Sequence, residues 1–169
     1  IEILTSSWGL AWSPKRITVS SIGKTKELRT LLDLTKVHIA ISVHSPYPTE
    51  RAQLMPVERA YPIVEVMELL KGYDFAHQRR LSVEYIMWKG LNDDLRHADA
   101  LARLLRGTNS RVNLIRFHAI PGVDLKTTNE AAMTAFRDHL NGLGITATIR
   151  ASRGEDIMAA CGMLAGKAQ

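Results

Sequence analysis

Cysteine is nearly absent from this sequence, with Cys161 the single one among 169 residues. One thiol closes no disulfide within the chain and cannot by itself hold zinc or an iron–sulfur cluster. The six histidines lack the paired spacing of an H-E-x-x-H site, so no metal site built by this chain alone is expected. A glycine-rich phosphate loop and a dinucleotide-binding fingerprint are also missing. No G-x-S-x-G elbow is present either, which leaves a Ser-His-Asp triad drawn through Ser42 and His44 without support. No run of about 18 apolar residues offers a membrane span, and residues 1–4 lack the basic flank and apolar length of a signal peptide. The expectation is a cytoplasmic chain with no membrane partner. Because it opens on Ile1 rather than Met, it reads as a piece of a longer polypeptide.

What the sequence does have is an ordinary globular composition, 46% hydrophobic and 23% charged, on a length that suits one domain. Twenty-two Lys and Arg against 17 Asp and Glu leave a net charge of +5. That excess permits an anionic partner such as RNA without requiring one.

Short β-branched runs alternate with longer amphipathic ones, and there is no close repeat or low-complexity segment. Residues 16–20 read as a first strand, and 24–34 as a helix with Leu28, Leu31 and Leu32 on one face. Residues 37–43 are nearly all apolar, which predicts a strand buried on both faces. A proline-rich polar loop over 46–56 is predicted next, then a helix opened by Pro62 and stopped by Gly72. A third strand over 81–88 leads to a helix capped within Asn92-Asp93-Asp94. Strands over 112–120 and 145–150 flank a helix over 129–140. This alternation argues for α/β architecture with parallel strands and right-handed crossovers, either a doubly wound sheet or an arc of a barrel. In both, ligands sit at the carboxyl ends of the strands.

Those ends carry Ser20-Ser21, Ser42-Val43-His44-Ser45, Met87-Trp88-Lys89, Arg116-Phe117-His118 and Arg150 to Arg153. Serine and histidine converging there could hold the ribose, carboxylate or amino group of a nucleotide-like ligand. A serine at a strand end equally caps a following helix, and His44 or His118 taken alone reads first as a structural residue. Around Cys161 the neighbours are small, which predicts a mobile, open loop. A lone cysteine is otherwise a small buried hydrophobe, whereas Arg150 and Arg153 nearby would favour a thiolate.

Segments 14–20 (P-K-R-I-T-V-S), 39–46 (I-A-I-S-V-H-S-P), 112–115 (V-N-L-I), 153–157 (R-G-E-D-I) and 160–166 (A-C-G-M-L-A-G) together resemble the RlmN family. These are radical S-adenosylmethionine methyltransferases that modify adenosine C2 in 23S rRNA and tRNA. The A-C-G-x-L-A-G ending joined to R-G-E-D and the S-x-H strand is its specific part. The resemblance implies a partial, TIM-like (β/α) barrel, of which residues 1–169 are the C-terminal part and about 151–169 a methyl-carrying loop. It implies that Cys161 is the cysteine that becomes S-methylated. Ser20, Ser42, Val43 and His44 then match cofactor contacts, with Val43 in place of a leucine. His118 falls where many members have asparagine.

The implied cofactors are S-adenosylmethionine and a [4Fe-4S] cluster whose ligands lie outside this chain. The implied partners are 23S rRNA, tRNA and an electron donor for the cluster. In the implied mechanism one S-adenosylmethionine methylates Cys161, and a second is cleaved to a radical that activates the S-methyl group for addition to C2. A protein-bound carbon carrier suits C2, an electron-poor aromatic carbon that makes a poor nucleophile. Related Cfr-type enzymes methylate C8 instead, and a non-catalytic nucleotide- or RNA-binding module would use the same strand ends. The chain by itself is expected to be inactive. Purified alone, it should show no iron–sulfur absorbance, and a brown, iron-loaded preparation would contradict that expectation.

Overall fold

A computed structural model describes residues 1–77, 79–119 and 122–151. Cys161 and the rest of its expected loop from residue 152 onward lie outside the described residues. A one-turn helix, α1 (Glu2–Thr5), precedes the sheet. The β-branched and apolar runs then form β1 (Thr18–Ser21), β2 (His38–Ser42), β3 (Leu81–Met87), β4 (Ser110–Arg116) and β5 (Thr146–Ile149). The sheet order is β1-β2-β3-β4-β5 and every pairing is parallel.

That order decides between the two predicted architectures. A doubly wound sheet reverses its strand order and so carries helices on both faces. Here each strand is laid beside the last in one direction, so right-handed crossovers bring every helix to the same face. The crossover helices are α2 (Thr25–Leu34), α4 (Ile63–Lys71), α5 (Leu95–Leu105) and α6 (Glu130–Gly142), with a short α3 (Pro48–Leu54) ahead of α4. The result is an arc of a (β/α) barrel with a helical outside and a concave inside.

The core follows from this division. Leu81, Val83, Tyr85 and Met87 of β3 alternate with half-buried residues, and they pack with Leu101 of α5 and Phe136 of α6 in one cluster. The Tyr85 and Phe136 rings lie 5.3 Å apart, centroid to centroid. Asp94 caps α5 by accepting from the His97 amide at 3.0 Å, and Asn129 caps α6 by accepting from the Ala132 amide at 2.8 Å.

Two expectations are corrected. The stretch 46–56 is no open loop: Pro48 opens α3 and Pro56 opens a short 3-10 helix, Pro56–Arg59. Proline at a first helical turn initiates rather than breaks, because its missing N–H has no helical partner there. β4 ends at Arg116, well before residue 120. Beyond it the Phe117 carbonyl accepts from Thr127 Oγ1 at 2.7 Å, and Trp88 bridges Thr127, so the chain leaves the ladder. Truncation of Phe136 to alanine should cost about 3–5 kcal/mol of stability through the cavity it leaves. Urea denaturation of the variant measures it, and a loss under about 1 kcal/mol would contradict this packing.

Candidate functional site

Residues paired across a parallel ladder point to the same face of the sheet. The register therefore builds two rows on the concave side: Ser20, Ala40, Ser82, Arg111 and Thr146, then Ser42, Glu84, Asn113 and Thr148. Their alternates face the helices. The concave wall is polar, and among the described residues no helix covers it.

The serines divide into two kinds. Ser21 Oγ accepts from the Gly23 amide at 3.0 Å, and Ser45 Oγ accepts from the Tyr47 amide at 3.1 Å while donating to Glu50 Oε2 at 2.8 Å. These two hold turns, as the capping reading requires. Ser20 and Ser42 hydroxyls, by contrast, make no hydrogen bond to any described residue, and both stand on the concave face.

His44 follows β2 in the left-handed region, at φ 59°. The backbone turns away there, which would leave the Ile86 amide on β3 without a ladder partner. The His44 ring replaces it: Nδ1 accepts from Ile86 N at 3.1 Å. A nitrogen that accepts from an amide carries no proton, so the neutral ring bears its proton on Nε2. Charging the ring would set two donors face to face. Burial, reinforced by the charge of Arg51, lowers the His44 pKa from 6.5 to about 4. His44 is thus a neutral donor through Nε2, packed edge-on against Trp88 at 5.9 Å between ring centroids. Asn92 donates to the His44 carbonyl at 2.6 Å and to the Ile86 carbonyl at 2.7 Å, and accepts from the Trp88 amide at 2.7 Å.

Arg51, on α3, is completely buried. Its Nε donates to the Val43 carbonyl at 3.1 Å, and Nη2 donates to the carbonyls of Ser42 at 3.0 Å and Ile22 at 3.3 Å. Nη1 pairs with Glu58, whose Oε2 also accepts from the Ile63 amide at 2.9 Å. One guanidinium thereby ties the ends of β1 and β2 together. Removing one member of such a buried pair typically costs about 3–5 kcal/mol, since the other charge is left uncompensated.

Of the other candidates, Val43 is fully buried in the core. Its amide donates to Glu84 O at 3.0 Å and its carbonyl accepts from Arg51, so it serves the site through backbone position. His118 sits half-buried two residues past β4. Cys161 lies outside the described residues. Three participants were not singled out from sequence: Arg51, Asn92 and Glu84. Asparagine in a capping run and arginine on a polar helix read as surface residues, and a glutamate alternating with apolar residues reads as a solvated strand face. Among the described residues, no three His, Cys, Asp or Glu side chains converge as a metal site would need.

Sequential parallel strands, an outer helical layer and an uncovered polar inner wall define the class, a segment of a ligand-facing (β/α) barrel. The crystal structure of a radical SAM methyltransferase from Sphaerobacter thermophilus superposes with a TM-score of 0.89 at 37% identity, covering 95% of this chain and 48% of that one. A domain of pyruvate-formate lyase-activating enzyme from Bacteroides vulgatus shares the fold, at TM-score 0.62 and 15% identity over 79% of this chain and 80% of that domain. No family model matches the sequence. A probable dual-specificity RNA methyltransferase RlmN from Parabacteroides distasonis is 63% identical over 97% of this chain, which covers 48% of that protein. A dual-specificity RNA methyltransferase RlmN from Syntrophus aciditrophicus is 42% identical over 99% of this chain and 48% of its own length. The chain belongs to the RlmN family. It spans about half the length of the curated relatives it matches.

The His44 geometry has a consequence for acid stability. Unfolded, the imidazole takes up a proton below about pH 6.5, whereas folded it stays neutral down to about 4. Stability from this group is therefore complete above pH 6.5 and is lost as pH falls from 6.5 towards 4, by roughly 2–3 kcal/mol at most. His44→Asn keeps an acceptor for Ile86 and tolerates positive φ. In urea titrations between pH 4 and 7 this variant should show a flatter pH dependence than the parent, and an unchanged slope would contradict the assignment.

Proposed function

We propose that the protein to which this chain contributes is a radical S-adenosylmethionine RNA methyltransferase that modifies C2 of adenosine in 23S rRNA and tRNA. The observation that carries this reading is the pair of unpartnered hydroxyls, Ser20 and Ser42, on the inner wall of a barrel segment whose relatives are named RNA methyltransferases. They stand at positions that match the family's cofactor contacts.

The inner wall suits an adenosine-bearing cofactor. It offers two free hydroxyls, a neutral imidazole donor and, on Glu84, a buried carboxylate oxygen with no hydrogen-bond partner. An iron–sulfur cluster is a different case: one cysteine cannot hold it, and the described residues do not fit it. Its ligands belong to residues other than these, and no step here is assigned to it.

S-adenosylmethionine, when bound, supplies an electrophilic methyl group and a carbon–sulfur bond open to reductive cleavage. Ser20 and Ser42 would orient it by hydrogen bonding, and His44 would donate through Nε2 from a ring fixed by Ile86. Arg51 keeps the ends of β1 and β2 at one separation, so that these contacts are preorganised. Cys161 would hold the transferred carbon as an S-methyl thioether, S-adenosylhomocysteine being the leaving group. His118 takes the place of the family's asparagine contact. The excess of positive charge, +5, assists approach of the RNA backbone.

The test uses the intact gene product with Cys161→Ala. Mass spectrometry of digested rRNA and tRNA should show 2-methyladenosine formed by the parent and none by the variant. Undiminished methylation by the variant would overturn the role of Cys161, and 8-methyladenosine from the parent would move the reading to C8. Absence of any methylated adenosine from the reconstituted parent would favour a non-catalytic RNA-binding module.

A further inference from the structure

Glu84 is the one acidic side chain in the concave rows. It sits in the middle of β3, paired in register with Ser42 on β2. Neighbouring parallel strands lie roughly 5 Å apart, so the carboxylate and the Ser42 hydroxyl flank one small region of the inner wall. Among the described residues the carboxylate is hydrogen-bonded at one end only. Its Oε1 accepts from Asn113 Nδ2 at 2.8 Å, and Asn113 Oδ1 in turn accepts from Thr148 Oγ1 at 3.3 Å. The other oxygen, Oε2, is buried and has no hydrogen-bond partner among the described residues. Arg150 Nη1 forms an ion pair with it at 4.0 Å, beyond hydrogen-bond reach, and the Glu84 side chain is only 14% exposed.

A buried acceptor without a donor is costly, and each such group in a native protein calls for an explanation, of which a bound partner is one. An ionised carboxylate oxygen accepts and cannot donate, so the missing partner is an O–H or N–H group. We propose that Glu84 Oε2 accepts a hydrogen bond from the ribose diol of the adenosine-bearing cofactor. This rests on the reading above that such a cofactor occupies the concave face. The ribose carries two vicinal hydroxyls, and the arrangement of Glu84 beside Ser42 offers each a partner. An acidic side chain on a strand that accepts from a ribose hydroxyl is a general solution in dinucleotide sites. Asn113 and Thr148 act as positioning residues, since they fix the carboxylate along one row of the sheet.

Calorimetric titration of the reconstituted full-length holoenzyme tests this, with S-adenosylhomocysteine and its 2′-deoxy and 3′-deoxy counterparts as probes. The parent enzyme should bind at least one deoxy compound about tenfold more weakly than S-adenosylhomocysteine, the size of effect expected for a hydrogen bond to a charged group. In Glu84→Gln and Glu84→Ala the affinity for S-adenosylhomocysteine should fall by about tenfold, and discrimination against that deoxy compound should shrink below about threefold. Discrimination that survives intact in either folded variant overturns the proposal. Equal binding of all three probes by the parent overturns it too, and needs no variant to fold. Failure of the parent to bind any of the probes would instead overturn the reading of the concave face on which the proposal rests.

Discussion

Each crossover in this chain carries the next strand to the same side of the last. With right-handed connections that direction confines the crossover helices to one face of the sheet, and among the described residues the other face has no covering layer. Everything about the site follows from the asymmetry. Leu81, Val83, Tyr85 and Met87 point outward into helices, while Ser82, Glu84 and Ile86 between them point inward. Ser42, Glu84, Asn113 and Thr148 come from four strands and meet in one row. A polar inner wall of this kind is tolerable only where water or a ligand meets it, because buried polar groups need partners.

The ends of the strands pose a second physical problem. Where β1 and β2 stop, carbonyls and amides lose their ladder partners, and the fold answers with side chains. Arg51 donates to the carbonyls of Ile22, Ser42 and Val43, the His44 ring accepts from Ile86, and Asn92 joins His44 to β3. The same devices set the chemistry. Burial and the Arg51 charge keep His44 neutral, and the Ile86 amide selects the tautomer that donates through Nε2. Support of the strand ends and the protonation state of His44 are here one set of contacts.

The chain spans about half the length of the RlmN relatives it matches and carries a single cysteine. The described half provides a rigid wall of hydrogen-bonding groups on strands, where side chains are held more firmly than on loops. It brings no set of soft ligands for a cluster. In the reading proposed above, the cofactor would need the protein mainly for binding, orientation and exclusion of side reactions, and a wall fixed by Arg51 and Asn113 would meet that demand.

The strand–helix alternation, the caps at Asp94 and Asn129 and the concentration of serine and histidine at strand ends are local properties, and the sequence alone determined them. Periodicity and capping depend on residues within a turn or two of one another, and the family motifs around Ser20, Ser42, His44 and Cys161 are likewise contiguous. Tertiary structure decided the rest. Whether the strands form a doubly wound sheet or a barrel arc depends on their spatial order, which no local pattern encodes. Ser21 and Ser45 were separated from Ser20 and Ser42 only by where their hydroxyls point. Glu84 reads as a solvated position on an alternating strand until Asn113, from another strand, takes one of its oxygens and the curved wall buries the other. Contacts between residues remote in the chain are set by topology, so the acceptor on the inner wall exists only once all its neighbouring strands are in place.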